Sequence, residues 1–214
     1  MENLDLVTEY IKDLYGTREF IPLHVPKFRG KEKDYLAQCI DTTFVSSVGE
    51  FVDRFEGQIA HISKTKKAVA VVNGTAGIQV ALRLAGVQSG DEVLTQALTF
   101  VATANAILYN NAHPVFIDVD LDTMGLSPKA VSAFLEEYGE LRDDGCYNKK
   151  TGRKISACLP MHTFGFPVHL DELIKVCNRW QIPIVEDAAE SLGSEYKGKP
   201  TGGFGALGVF SFNG

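Results

Sequence analysis

From about Lys66 onward, apolar runs of strand length alternate with stretches whose apolar positions recur at helical spacing, the pattern of a layered α/β sheet. AVAVV (68–72) is short, apolar and rich in β-branched residues, which predicts a strand buried on both faces and ending at Asn73 and Gly74. In the TAGIQVALRLAG that follows, Ile78, Ala81, Leu82 and Ala85 share one helical face, and Gly86 is placed to end the element. A second unit reads DEVLT as strand, FVATANAILYN as helix and PVFIDV as strand. Ser127 and Pro128 then supply a cap and a first-turn proline for the helix PKAVSAFLEEY. RDDGCYNKKTGRK (142–154) is polar and rich in turn residues, so a surface loop is expected before the buried strand ISACLP. HLDELIKVCNRW sets Leu173, Val176, Cys177 and Trp180 on one face and leads into the strand IPIVED. The Gly-rich tail predicts a turn and one or two further strands. Residues 1–60 read as a separate helical arm, with helical patterns around Glu32–Ile40 and from Glu50 joined by TTFVSSVG, and residues 61–214 as the α/β body.

Composition narrows the class. With 214 residues, 45% hydrophobic and 22% charged, the chain is long enough for a substantial core and for one or two domains. Its net charge of −6 predicts no general attraction to nucleic acid or to an anionic membrane. Cys39, Cys146, Cys158 and Cys177 form no CxxC pair, which argues against a zinc knuckle or a secreted disulfide framework and fits a reducing cytoplasm. The acidic N-terminus lacks the basic region of a signal peptide, and no apolar run approaches the roughly 20 residues of a membrane span. A cytoplasmic protein is the expectation.

Several chemical motifs fail on their context. Gly203, Gly205 and Gly208 spell GxGxxG, yet VFSF rather than a helix follows, so a dinucleotide-dependent oxidoreductase is not supported. Asp118, Asp120 and Asp122 imitate the start of a calcium loop, but Thr123 replaces its turn glycine and Lys129 its bidentate acid. His162 and His169 have no metal-ligand spacing, so a structural or substrate-facing role is favoured and no metal is expected. The junction at 73–77 carries more information. Small residues opening a helix leave backbone N–H groups for an anion, although a tight strand-to-helix turn would look the same. Glu186 and Asp187 end a buried strand, where open parallel sheets place ligand sites. They read either as turn caps or as partners of a cofactor carrying both a phosphate and a protonatable ring nitrogen, the combination found in pyridoxal 5′-phosphate (PLP). Phe100 is either core or a stacking platform.

Taken in order, NGTAGIQVAL, TFVATANAI, FIDVDLDTMGLSP, VEDAAESLGS and GVFSFNG resemble the DegT/StrS family of PLP-dependent nucleotide-sugar aminotransferases. The resemblance spans nearly the whole chain. It implies the large domain of the fold-type-I transferases, a mostly parallel sheet in an α/β/α sandwich, without the C-terminal small domain. It also implies that Thr75, Ala76 and Ser211 hold the cofactor phosphate, Phe100 stacks on the pyridine, Asp187 partners the pyridine nitrogen and Glu190 lies near the ring hydroxyl. The catalytic Schiff-base lysine is expected just after Gly214, so no residue of this chain fills that role.

The arm PLHVPKFRGKEKDYLAQCIDTTFVSSVGEFVDRFE resembles the legionaminic-acid-type branch, which aminates C4 of nucleotide-linked 4-keto-6-deoxy sugars for bacterial surface polysaccharides. Membership of the family would imply glutamate as amino donor and a homodimer with shared active sites. TTFVSSVG resembles the family's loop that reaches an active site, which would make Ser46 and Ser47 substrate contacts; a polar loop between two helices is the other reading. His162, read as structural or substrate-facing, is the remaining candidate substrate contact. A non-catalytic PLP-binding regulatory protein of the same fold is the competing expectation.

Overall fold

The computed structural model describes residues 2–22 and 25–212. Asn213 and Gly214, which close the FSFNG motif, lie outside the described residues. The backbone divides between Val45 and Ser46 into two units. The smaller carries helices α1 (Glu2–Tyr15) and α2 (Glu32–Asp41). Helix α3 (Glu50–Ile62), expected in the arm, instead belongs to the larger unit. There Glu56 Oε1 accepts from the Ala70 N–H at 2.8 Å, and Phe55 meets Phe212 edge-on with ring centroids 5.3 Å apart.

In the larger unit, α4 (Gly74–Leu84), β1 (Glu92–Gln96), α5 (Val101–Tyr109), β2 (His113–Ile117) and α6 (Pro128–Tyr138) follow the predicted alternation within a residue or two. After them come β3 (Gly139–Arg142), β4 (Gly145–Asn148), β5 (Lys154–Leu159), a short 3-10 turn at Thr163–Gly165, α7 (Leu170–Arg179), β6 (Val185–Asp187), the small hairpin β7 (Glu195–Tyr196) and β8 (Lys199–Pro200), and β9 (Leu207–Val209). β1 is central, parallel to β2 on one side and to β5 on the other. β6 lies alongside β5 through the bridges Cys158–Ile184 and Met161–Asp187, and β9 runs parallel to β6. The result is a curled, mostly parallel sheet.

The two faces of the sheet build two cores. Leu94 and Cys158 face one cluster with Leu135 of α6 and Leu170, Leu173 and Cys177 of α7, and Ile155 joins it where the register between β1 and β5 shifts. Val93, Ala157 and Leu159 face the other, with Ile78 and Leu82 of α4 and Ala106 and Ile107 of α5. Helices therefore cover both faces, as parallel strands require.

Two expectations are corrected. Residues 142–154 are not simply a loop, because β3 and β4 form an antiparallel hairpin and β4 pairs with β5 through Cys146–Ile155 and Tyr147–Lys154. Residues 68–72 are not a strand. They find no ladder partner among the described residues, and Val69 and Val72 are 68% and 87% exposed. Composition creates a strand's apolar faces; the ladder itself needs a neighbour.

Ser127 shows how locally this frame is specified. Its hydroxyl accepts from the Ala130 N–H at 3.3 Å and donates to Asp120 Oδ1 at 2.6 Å, so it caps α6 and fastens the turn before it. Replacing it with alanine is expected to cost about 1–2 kcal/mol. Urea unfolding followed by circular dichroism measures this, and an unchanged midpoint would contradict the capping role.

Candidate functional site

Of the predicted chemical residues, Asp187 lies at the C-terminal end of β6, Ser211 past the end of β9, and Thr75 in the first turn of α4. The strand β6 carries Asp187, which pairs in register with Val209 of β9. Ser211 lies two residues past that pair, so the Cα atoms of Asp187 and Ser211 are roughly 8 Å apart by strand rise and spacing. A pyridine ring bearing a phosphate arm has that length.

At the phosphate end, Asn73 caps α4, its Oδ1 accepting the Ala76 N–H at 2.9 Å. The Ala76 amide, expected to hold a phosphate, is thus engaged in the cap. The amides of Gly74 and Thr75 donate to no group among the described residues. A Cβ built on Gly74 would stand 2.9 Å from Ser211 Cβ and 3.0 Å from its Oγ. The absence of a side chain at Gly74 is therefore what allows the Ser211 hydroxyl to sit against the first turn of the helix. Gly77, one turn on, meets Val209 in the same way, with 2.8 Å from its built Cβ to Cγ1, so α4 lies flush on β9. Two free amides, a hydroxyl and the positive end of a helix form a cradle suited to a phosphate dianion.

At the ring end, Asp187 is 2% exposed. Its Oδ2 accepts from Thr103 Oγ1 at 2.6 Å, and Oδ1 accepts the Ala189 N–H at 3.3 Å. Thr103 Oγ1, in the first turn of α5, also lies 2.6 Å from Oγ1 of Thr99, which precedes the helix. Burial pushes the Asp187 acid above the ordinary aspartate range, against the opposing hydrogen bonds from Thr103 and Ala189. A carboxylate held in that condition favours a cation opposite it, and a protonated pyridine nitrogen is one. Phe100, the N-cap of α5, is 66% exposed and stands one turn before Thr103, so it is available as a platform rather than part of the core.

Adjacent Glu186 is electrostatically the reverse of Asp187. Although burial raises its pKa, hydrogen bonds from His162 and from the Gly205 and Gly202 amides hold it below the ordinary glutamate range. The His162 Nε2 lies 3.1 Å from Glu186 Oε2. Its Nδ1 accepts the Val168 N–H at 3.4 Å, which assigns the proton to Nε2. With its side chain wholly buried and both nitrogens engaged, His162 takes the structural one of the two roles expected of it in this structure.

Glu190 uses Oε2 to accept the Phe164 N–H at 2.8 Å. Phe164 has φ +53°, an uncommon conformation for an aromatic residue, and its ring is 77% exposed. Ser46 and Ser47 are exposed before α3, and their hydroxyls make no hydrogen bond among the described residues. Among the described residues, Asp120, Asp122 and His169 bring possible metal-ligating atoms within 4.8 Å of one another. Their polar atoms already have partners: His169 Nε2 is 3.0 Å from Asp122 Oδ2, and Asp120 accepts from Ser127. The GxGxxG glycines serve close packing, since a Cβ on Gly205 would meet the Ile184 carbonyl oxygen at 2.5 Å.

Comparison with known families matches residues 26–214 to the DegT/DnrJ/EryC1/StrS aminotransferase family. The chain belongs to that family. It is 42% identical over 194 residues to EpsN of Bacillus subtilis (strain 168), covering 91% of this chain and 47% of EpsN. It is 34% identical over 196 residues to the GDP-perosamine synthase of Escherichia coli O157:H7, covering 92% and 50% of the two chains. The crystal structure of DesI in the presence of its TDP-sugar product matches with a TM-score of 0.75 and 31% identity, over 94% of this chain and 48% of DesI. The chain thus spans about half the length of the relatives it matches. Aminotransferases of this family are PLP-dependent, and the fold matches about half of each of their solved structures. Sequence reading missed Thr103, whose signal was its spacing of four from Thr99 on a helix opening beside the strand ends.

The opposed acids predict a pH signature. Because the fold raises the Asp187 pKa, stability present below the ordinary aspartate range is lost as pH rises through the folded value. In the cofactor-free full-length protein, Asp187→Asn should therefore melt higher than the parent at neutral pH, with the gap closing in acid. Thermal melts across pH would refute this if the two proteins melted together throughout.

Proposed function

We propose that this chain forms the cofactor-binding part of a cytoplasmic PLP-dependent aminotransferase that moves an amino group from glutamate to C4 of a nucleotide-linked 4-keto-6-deoxy sugar, in bacterial surface polysaccharide or nonulosonic acid synthesis. The observation that carries the reading is the placement of Asp187 and the Ser211–α4 cradle on neighbouring strands, one at each end of a site of cofactor length. The family membership and the resemblance to a GDP-sugar aminating relative support the sugar class. The arm's resemblance to the legionaminic-acid-type branch supports the C4 position.

Bound PLP supplies an electron sink for proton removal at the amino-bearing carbon. The residues of this chain do the holding. Thr75, the Gly74 amide and Ser211 would take the phosphate, Phe100 would lie against the ring, and ionised Asp187 would keep the ring nitrogen protonated by charge pairing. Glu190 would stand near the ring hydroxyl. Ser46 and Ser47 would meet substrate in a homodimer with shared active sites, and the lysine that completes the chemistry would follow Gly214. Among the described residues no helix is long and apolar enough to cross a membrane, which accords with action on a soluble nucleotide sugar.

The full-length protein with PLP should show a visible absorption band that glutamate bleaches and a 4-keto sugar nucleotide restores. No band would sink the proposal, and a band indifferent to glutamate would favour the non-catalytic binding protein. Ser211→Ala should weaken PLP binding about tenfold, the size of one hydrogen bond to a charged group. Titration of the full-length variant checks this, and undiminished affinity would remove Ser211 from the phosphate site.

A further inference from the structure

The Glu186 carboxylate takes part in four hydrogen bonds in the molecule's interior. It is fully buried. Its Oε1 accepts the N–H groups of Phe204 at 2.6 Å and Gly205 at 2.7 Å. Its Oε2 accepts the Gly202 N–H at 2.8 Å and the His162 Nε2–H at 3.1 Å. An ionised carboxylate offers acceptors only, and here every direction meets a donor. Three of the donors belong to one turn, residues 202–205, which runs directly into β9 and on to Ser211. The fourth, His162, is held in turn by the Val168 N–H.

We infer that Glu186 is a positioning residue for the cofactor's phosphate, its carboxylate clamping the 202–205 turn and thereby setting Ser211 against the first turn of α4. This rests on the PLP reading above and deepens it. The physical reason lies in the backbone of the turn. The buried N–H group of Gly202 and the half-buried ones of Phe204 and Gly205 need an acceptor, and the β6–β9 ladder at 207–209 does not reach them. Gly205 is already pressed against the Ile184 carbonyl oxygen, so the turn has no slack to find another partner. A shift of the turn would pass along β9 to Val209, which packs on Gly77, and to Ser211, which packs on Gly74. Asp187 is the next residue on β6, so one strand anchors both ends of the cofactor site.

Glutamine in place of Glu186 keeps the shape but presents one acceptor and one donor. Its amide N–H₂ would oppose either the turn or His162, leaving at least one buried N–H without a partner. The test uses the full-length protein and two probes, PLP and pyridoxal, which lacks the phosphate. In Glu186→Gln the preference for PLP over pyridoxal, read as the ratio of the two dissociation constants, should fall about tenfold, as expected for losing one well-aimed charged hydrogen bond. His162→Asn, which slackens the clamp from its other side, should lower the ratio in the same direction. Leu173→Ala, a core truncation between β5 and α7, should lower the melting temperature without moving the ratio, separating general destabilisation from positioning. An unchanged ratio in Glu186→Gln, or in His162→Asn where the first variant does not fold, overturns the inference. A parent protein that binds neither probe overturns the PLP reading itself, a result distinct from an intact parental preference that the variants retain.

Discussion

Two neighbouring carboxylates on a three-residue strand, both out of water, set the terms for the rest of this structure. Successive side chains of β6 point to opposite faces, so Glu186 reaches the 202–205 turn and His162 while Asp187 reaches the start of α5. A buried charge is tolerated when its lone pairs are met. Glu186 has four donors and is satisfied as an anion. Asp187 has two, one of them long, and burial prevails. The contrast separates a residue that builds from a residue that waits for a charge, although the two are adjacent in sequence.

The glycines next to these acids perform a different task. At Gly74 and Gly77 the helix α4 approaches β9 closely enough that a methyl group would collide with Ser211 or Val209. That approach aims the helix's unpaired amides at the same point as a hydroxyl from the strand. Ser211 lies two residues past the end of β9, and the close approach of α4 to β9 at Gly77 and Val209 sets its place against the first turn of the helix. At Asp187, Thr103 in the first turn of α5 joins the carboxylate to Thr99, which lies just before the N-cap Phe100.

Much of this was legible in the sequence because it is local. The strand–helix alternation follows apolar periodicity, and Ser127–Pro128 opens α6 where a cap and proline should. The small residues after Asn73 and the acids ending IPIVED stand out as candidates from sequence alone, and the structure sets them at the start of α4 and on β6. What escaped depends on partners distant along the chain. Residues 68–72 have the composition of a strand but no ladder, and the polar 142–154 stretch forms a hairpin because β5 offers it an edge. His162 looked exposed to chemistry because a histidine beside a turn carries no sign of burial; its neighbours Glu186 and Val168 decide the matter. Ala76 looked like a phosphate ligand, yet Asn73 takes its amide, moving the free donors back to Gly74 and Thr75.

The unequal treatment of the two acids also makes folding and cofactor binding one equilibrium. An acid whose ionised form is disfavoured by burial costs stability at neutral pH so long as no cation faces it. A protonated ring nitrogen placed there would remove that cost and gain the Coulomb attraction of a site with little water. Part of the binding free energy would then come from relief of a strain already present in the protein, and not from new contacts alone. Glu186 cannot contribute in this way, since its charge is already met by four donors, whereas Asp187 has two and leaves the larger part of its charge for a cation to meet.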